Sequence, residues 1–158
     1  MTKKIFQSII IVAATVLLAS LTIILGVFYE YFGNIQKGQL TDELNLASVS
    51  VIKDGVDYLE HLQSDHYRLT WIDTDGTVLY DTETGNEELE NHKDRAEVKT
   101  AFEKGIGEST RYSATLMEKT RYYAKRLEDG TVLRISAKYA TTGLLVLGML
   151  QPIIFIII

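Results

Sequence analysis

Apolar and polar positions fall into three regimes along this chain. Residues 5–28 carry no charge, and their polar side chains are limited to Gln7, Ser8, Thr15, Ser20 and Thr22. A helix rises about 1.5 Å per residue, so about 20 apolar residues cross the hydrocarbon core of a bilayer. The run predicts a transmembrane helix, followed by Phe28, Tyr29, Tyr31 and Phe32 as an aromatic belt at headgroup level. A secretory signal has an apolar region of roughly 7–15 residues and a small-x-small cleavage site. This run is longer and shows no such site before the belt, so it reads as an uncleaved helix. Residues 141–158 form a second uncharged run ending in Phe155-Ile156-Ile157-Ile158. It reads as a second membrane helix cut before its cytoplasmic flank, in preference to a tail anchor.

Between the two runs the pattern changes period. Leu40, Leu44, Ala47, Val51, Tyr58 and Leu62 recur at spacings of three, four or seven, an a/d-like helical stripe over 35–62. Val49, Ile52, Val56 and Leu59 form a second apolar face. One face suits the domain and the other a partner helix, and the stripe is the expected dimer seam; the alternative is that both faces are core. The helix is expected to continue from the membrane span, with Gly55 a weak point in it. Residues 67–73 alternate as a strand, Thr74-Asp75-Gly76 reads as a turn, and 77–81 as the returning strand. Asp94 with Glu97 three residues on is a capping-box pattern before Val98, Ala101 and Phe102, and Gly105 is placed to end that short helix. Strands are expected over 108–115, 120–127 and 131–137. The segments Asp75-Gly76-Thr77-Val78-Leu79 and Asp129-Gly130-Thr131-Val132-Leu133 match, which reads as one hairpin solution used twice. The expected fold is α+β: a five-stranded antiparallel sheet with a long N-terminal helix and a short helix, flanked by two transmembrane helices. The boundaries are 1–32 for the cytoplasmic N-terminus and first span, 33–140 for the outer domain and 141–158 for the second span.

Charge orients this arrangement. The net charge is -5, and of the charged residues Lys3, Lys4 and Glu30 alone precede residue 33. Two lysines on a short flank place the N-terminus in the cytoplasm and the middle of the chain outside. An acidic middle lacks the basic patch that nucleic acid requires. The absence of cysteine excludes disulfides and thiolate metal sites.

Candidate chemistry is sparse. Asp73-Thr74-Asp75-Gly76 has its glycine too early for a calcium loop and reads as a hairpin turn. His92 and Arg95, with Asn91 and Asp94, cluster before the short helix, as cation, pH-sensing or capping groups. His61 and His66 lie five apart, a spacing that fits no metal motif, and no metal site is expected. Arg111, Arg121, Tyr123 and Lys125 are the candidate lining of an anion pocket, because guanidinium with tyrosine suits a carboxylate; a solvated sheet face gives the same pattern. No catalytic constellation has a local signature.

The run Trp71-Ile72-Asp73-Thr74-Asp75-Gly76-Thr77-Val78-Leu79-Tyr80-Asp81, the segment Asn91-His92-x-x-Arg95-x-Glu97-Val98, and the stretches 107–113 and 122–124 resemble PAS-like (Cache or PDC type) extracytoplasmic sensors. The resemblance is closest to phosphate-sensor-like membrane histidine kinases of Gram-positive bacteria. It implies a homodimeric two-pass receptor in a bacterial cell membrane, contacting lipid, that passes an extracellular stimulus to a cytoplasmic kinase absent from this chain. That kinase would use ATP and Mg and act on a response regulator; this chain itself would hold no cofactor and no catalytic residue. Alternatives are the sensor region of a chemoreceptor or cyclic-dinucleotide enzyme, or a membrane-anchored adaptor without catalytic output.

Overall fold

The computed structural model describes residues 2–85, 89–113 and 118–140, and the expected second membrane helix at 141–158 lies outside them. The chain divides into two units, Met1–Gly38 and Gln39–Ile158. The first unit is helical throughout its described residues, in α1 (Thr2–Asp54). Its side chains are almost all exposed, Ile9, Leu17 and Ile23 among them. A helix of this length and mean hydropathy (2.7 over its best window) is long and apolar enough to cross a membrane. Its hydroxyls suit that setting. Ser8, Thr15, Ser20 and Thr22 each donate to a backbone carbonyl three or four residues earlier, at 2.8–3.0 Å, so none asks for water inside the bilayer.

The second unit is an α+β domain. The C-terminal turns of α1 lead through Gly55 to α2 (Val56–His61). Then come β1 (Arg68–Ile72), β2 (Val78–Asp81), α3 (Ala96–Lys104), β3 (Ile106–Ser113), β4 (Glu118–Arg126) and β5 (Val132–Ala140). The sheet is antiparallel throughout, in the order β2-β1-β5-β4-β3. The matching Asp-Gly segments build the same turn twice. Asp75 and Asp129 each accept from the threonine N–H two residues on, at 2.8 and 2.9 Å. Gly76 and Gly130 sit at φ 93° and 87°, the left-handed region that glycine adopts without strain.

Strand alternation gives the sheet two unlike faces. One carries Leu69, Tyr123, Leu133, Ile135 and Ala137, which form a core with Leu40, Leu44, Ala47 and Val51 of α1 and Leu59 of α2. The other receives α3 through a smaller cluster of Ile72, Val98, Ala101, Ala124 and Val132. There α3 lies so close to β3 that a Cβ at Gly107 would overlap the Glu97 carbonyl and crowd the Ala101 nitrogen.

Three expectations are corrected. The stripe expected as a dimer seam is the core face of its own domain. Leu40, Leu44, Ala47 and Val51 are buried, and Tyr58 and Leu62 pack on the same core. The apolar face left to solvent is Leu46, Val49 and Ile52, at 66, 68 and 49% exposure. Second, no single helix runs over 35–62: Gly55 at φ 62° and ψ −136° breaks it after Asp54. Third, Asp94 and Glu97 make no capping box. The N-cap position is Arg95 without a side-chain bond, and Glu97 turns into the sheet. The expected end at Gly105 is realised: φ is 89° and its N–H reaches the Ala101 carbonyl at 2.8 Å.

Two stability outcomes follow, both readable by chemical denaturation of the chain in detergent. Gly107→Ala forces α3 off the sheet and costs about 2 kcal/mol or more. Leu44→Ala costs about 3 kcal/mol as a cavity-forming core change, whereas Leu46→Ala shifts stability by less than about 0.5 kcal/mol.

Candidate functional site: an arginine-lined cleft

Beside α3, the polar part of the second sheet face opens into a cleft of about 770 Å³, within the range of small-molecule sites. Arg68 of β1, Arg95 ahead of α3, Arg111 of β3 and Arg134 of β5 line it together with His92 and Tyr122. Register brings them together. Arg111 lies opposite Thr120, so it shares a face with Tyr122 rather than Tyr123, and Tyr122 lies opposite Ser136, next but one to Arg134.

Two buried carboxylates hold the arginines. Glu97, fully buried, accepts from the Ser109 hydroxyl at 2.5 Å and from Arg111 Nη2 at 3.3 Å, and lies 3.5 Å from Arg134 Nη1. Asp81, also fully buried, accepts from Arg68 Nε at 2.8 Å and the Thr70 hydroxyl at 2.7 Å. Arg134 Nη2 donates to the Thr70 hydroxyl at 3.0 Å, joining the two groups into one network. The guanidinium carbons of Arg111 and Arg134 lie 4.4 and 5.4 Å from the centroid of the Tyr122 ring, within cation–π range.

Burial sets the protonation states. It works against the charge of Asp81, yet Arg68, Thr70 and the Glu83 N–H bond the carboxylate and hold its pKa below the usual value. Burial also draws the Arg134 guanidinium downward, with Glu97 opposing. His92 is driven to a pKa of about 4, first by burial, then by the positive charges of Arg134 and Arg95. Its Nδ1 and the Nε of Arg134 are buried without a hydrogen-bond partner among the described residues. Orphaned buried donors and acceptors are costly, by about 1–3 kcal/mol each, and uncommon in folded domains.

Of the candidate ligand-binding residues expected from sequence, Arg111, His92 and Arg95 meet in this cleft. Tyr123 and Lys125 do not. Tyr123 is buried in the core against α1, and Lys125 Nζ donates to Asn45 Oδ1 of α1 at 2.7 Å. Both occupy odd positions of β4, which face α1, while the even positions face the cleft. Arg68, Arg134, Tyr122, Glu97 and Asp81 were missed. The available signal was a lone charge flanked by apolar residues, as in Leu133-Arg134-Ile135. His66 lines the cleft mouth, and His61 is exposed on α2, its Nδ1 2.8 Å from the Asp57 carbonyl. No protein-family model matches the chain, and a search of curated proteins finds no match either.

The depressed His92 pKa makes stability depend on pH. The unfolded histidine, with pKa near 6.5, takes up a proton that the folded one refuses until about pH 4. Stability is therefore full above pH 6.5 and falls as pH drops from 6.5 to 4, by roughly 3 kcal/mol in all. Denaturation across this window is expected to show that slope in the native chain and a flatter one in His92→Asn. Separately, Glu97→Gln leaves two guanidiniums facing each other and is expected to cost about 3 kcal/mol or more at pH 7.

Proposed function

We propose that this chain is the transmembrane sensory input region of a two-component sensor histidine kinase. On this reading the outer domain is PAS-like, its stimulus acts at the arginine-lined cleft, and residues 141–158 return the chain to the cytoplasm. The kinase, with its ATP, Mg and response regulator, belongs to sequence outside this chain. The observation that carries the reading is the union of two parts in one helix. α1 starts as a stretch long and apolar enough to span a membrane and finishes as a core element of the sheet domain. A change in the packing of the end of α1 within the domain core can be passed along that continuous helix.

The sheet order β2-β1-β5-β4-β3, with α1 on one face and α3 and a cleft on the other, supports the PAS-like reading. Lys3 and Lys4 support a cytoplasmic N-terminus. A receptor of this kind works as a homodimer. The face of α1 available to a second copy is Leu46, Val49 and Ile52, apolar residues repeating every three positions and left to solvent.

The chain has no cysteine, so single cysteines report both points without background. Thr74→Cys, in the exposed β1–β2 turn, is expected to react with a membrane-impermeant maleimide on intact cells, and Lys3→Cys only after permeabilisation. The reverse pattern would overturn the topology. Val49→Cys is expected to give disulfide-linked dimers in membranes under mild oxidation, whereas buried Val51→Cys gives none.

A further inference from the structure

The end of the sheet at which the chain leaves it has a composition of its own. β5 closes at Ala140, and the uncharged run 141–158 follows without a linker. Strand pairing sets the rows beside that point. Tyr139 lies opposite Lys119, and Lys119 opposite Tyr112. The next rows join Lys138 to Thr120 and Arg111, then Ala137 to Arg121 and Thr110. Alternation puts Tyr112, Lys119, Arg121 and Tyr139 on the face that holds α1 and Lys138 on the other. Tyr112 is 63% exposed, and Lys138 is exposed too. The Arg121 guanidinium carbon lies 5.7 Å from the centroid of the Tyr139 ring. Arg111 is committed to Glu97, whereas Lys119 and Lys138 make no ion pair among the described residues. Within 110–113, 118–121 and 137–140 the sole acid is Glu118. The opposite end of the sheet is the reverse. Its turns, 73–77 and 127–131, carry Asp73, Asp75, Glu128 and Asp129 and no cation, with Lys93 and Arg126 beside them.

Each feature suits a bilayer surface. A residue spans at most about 3.6 Å of extended chain, so entry of residue 141 into a membrane brings Lys138 and Tyr139 within about 10 Å of it. Hydrogen bonding between strands then carries Lys119 and Tyr112 to the same level. Tyrosine and lysine are residues of that level: each has an apolar body that enters the interface and a polar tip that stays wet. Cations on both faces of the sheet suit an end-on approach, whereas a partner docking flat would meet one face. Anionic headgroups attract the cations at this end and repel the acidic turns at the other, so the charge pattern along the strands favours the same orientation.

We infer that this end of the sheet, through Tyr112, Lys119, Arg121, Lys138 and Tyr139, rests in the headgroup layer of the chain's own bilayer and contacts anionic phospholipid. The inference rests on the proposed return of the chain to the membrane after Ala140.

The chain has no cysteine, so Tyr112→Cys and Thr74→Cys each carry one fluorescent label, at the near and far ends of the sheet. At 112 the aromatic label stands in for the tyrosine ring. The full chain is reconstituted in nanodiscs of phosphatidylcholine, with or without phosphatidylglycerol, that include some lipid bearing a nitroxide on its headgroup. With phosphatidylglycerol, the label at 112 is expected to lose roughly half its emission or more to the nitroxide, and the label at 74 almost none. Omitting phosphatidylglycerol, raising the salt, or adding Lys119→Glu with Lys138→Glu is expected to weaken quenching at 112 by about two-fold or more. Circular dichroism checks that the charge-reversed chain is native; should it fail to fold, the lipid and salt series carry the comparison. Equal quenching at both positions, none at 112, or quenching at 112 indifferent to lipid charge and salt would each overturn the inference. Nanodiscs expose both leaflets, so the readout does not depend on which side the domain occupies. A reversed maleimide pattern therefore removes the sensory reading alone, and absent quenching with the expected maleimide pattern removes this contact alone.

Discussion

A single buried carboxylate organises the side of the domain that faces the cleft. Glu97 leaves the first turn of α3 and enters the sheet, where Ser109, Arg111 and Arg134 surround it. Taking a carboxylate out of water costs several kcal/mol, and hydrogen bonds with opposite charge are what offset that cost. The offset comes from two strands at once, β3 and β5, so the charge ties α3 to both. The apolar cluster beneath α3 is small, with Ile72, Val98, Ala101, Ala124 and Val132 at its centre. The ionic tie therefore fixes the helix in a place that apolar contact alone specifies weakly. Gly107 completes the constraint by letting the α3 backbone approach β3 closely.

The same sheet does opposite work on its two faces. Leu133, Ile135 and Ala137 of β5 hold α1, while Val132, Arg134 and Ser136 of that strand face α3 and the cleft. β5 lies between β1 and β4, hydrogen-bonded on both edges. An occupant that drew on Arg134 would thus act on a strand whose alternate residues seat the helix that begins in the membrane-length stretch. On the proposed reading this is the physical link between stimulus and output. It requires the two packings of that core to differ in their affinity for the ligand.

Local patterns in the sequence carry much of this architecture. The length and apolarity of 5–28, the two Asp-Gly turns, the alternating strands and the Gly105 stop are all set by neighbours within a few residues. Backbone sterics, hydrogen bonding and period decide such features before any tertiary contact forms. The helical stripe Leu40, Leu44, Ala47 and Val51 was equally legible as apolar. Its partner was not, because an amphipathic face does not state whether it meets its own sheet or another chain.

The site depended on register. Arg111, His92 and Arg95 were visible as chemistry-bearing residues, but Tyr123 and Lys125 were grouped with Arg111 although the pairing of β3 with β4 puts them on the opposite face. A shift of one residue in strand pairing exchanges the two faces, and nothing local specifies it. Glu97 shows the same limit: three residues after Asp94 it has the spacing of a cap, yet burial among guanidiniums outweighs one bond at a helix end. The sequence by itself determined the five strands, the short helix between them, their order and the membrane-length helix, because these follow from short-range sterics and hydrophobic period. The tertiary structure alone decided which faces meet, which charges are buried and where a cleft opens, because those depend on groups far apart in the chain competing for the same space.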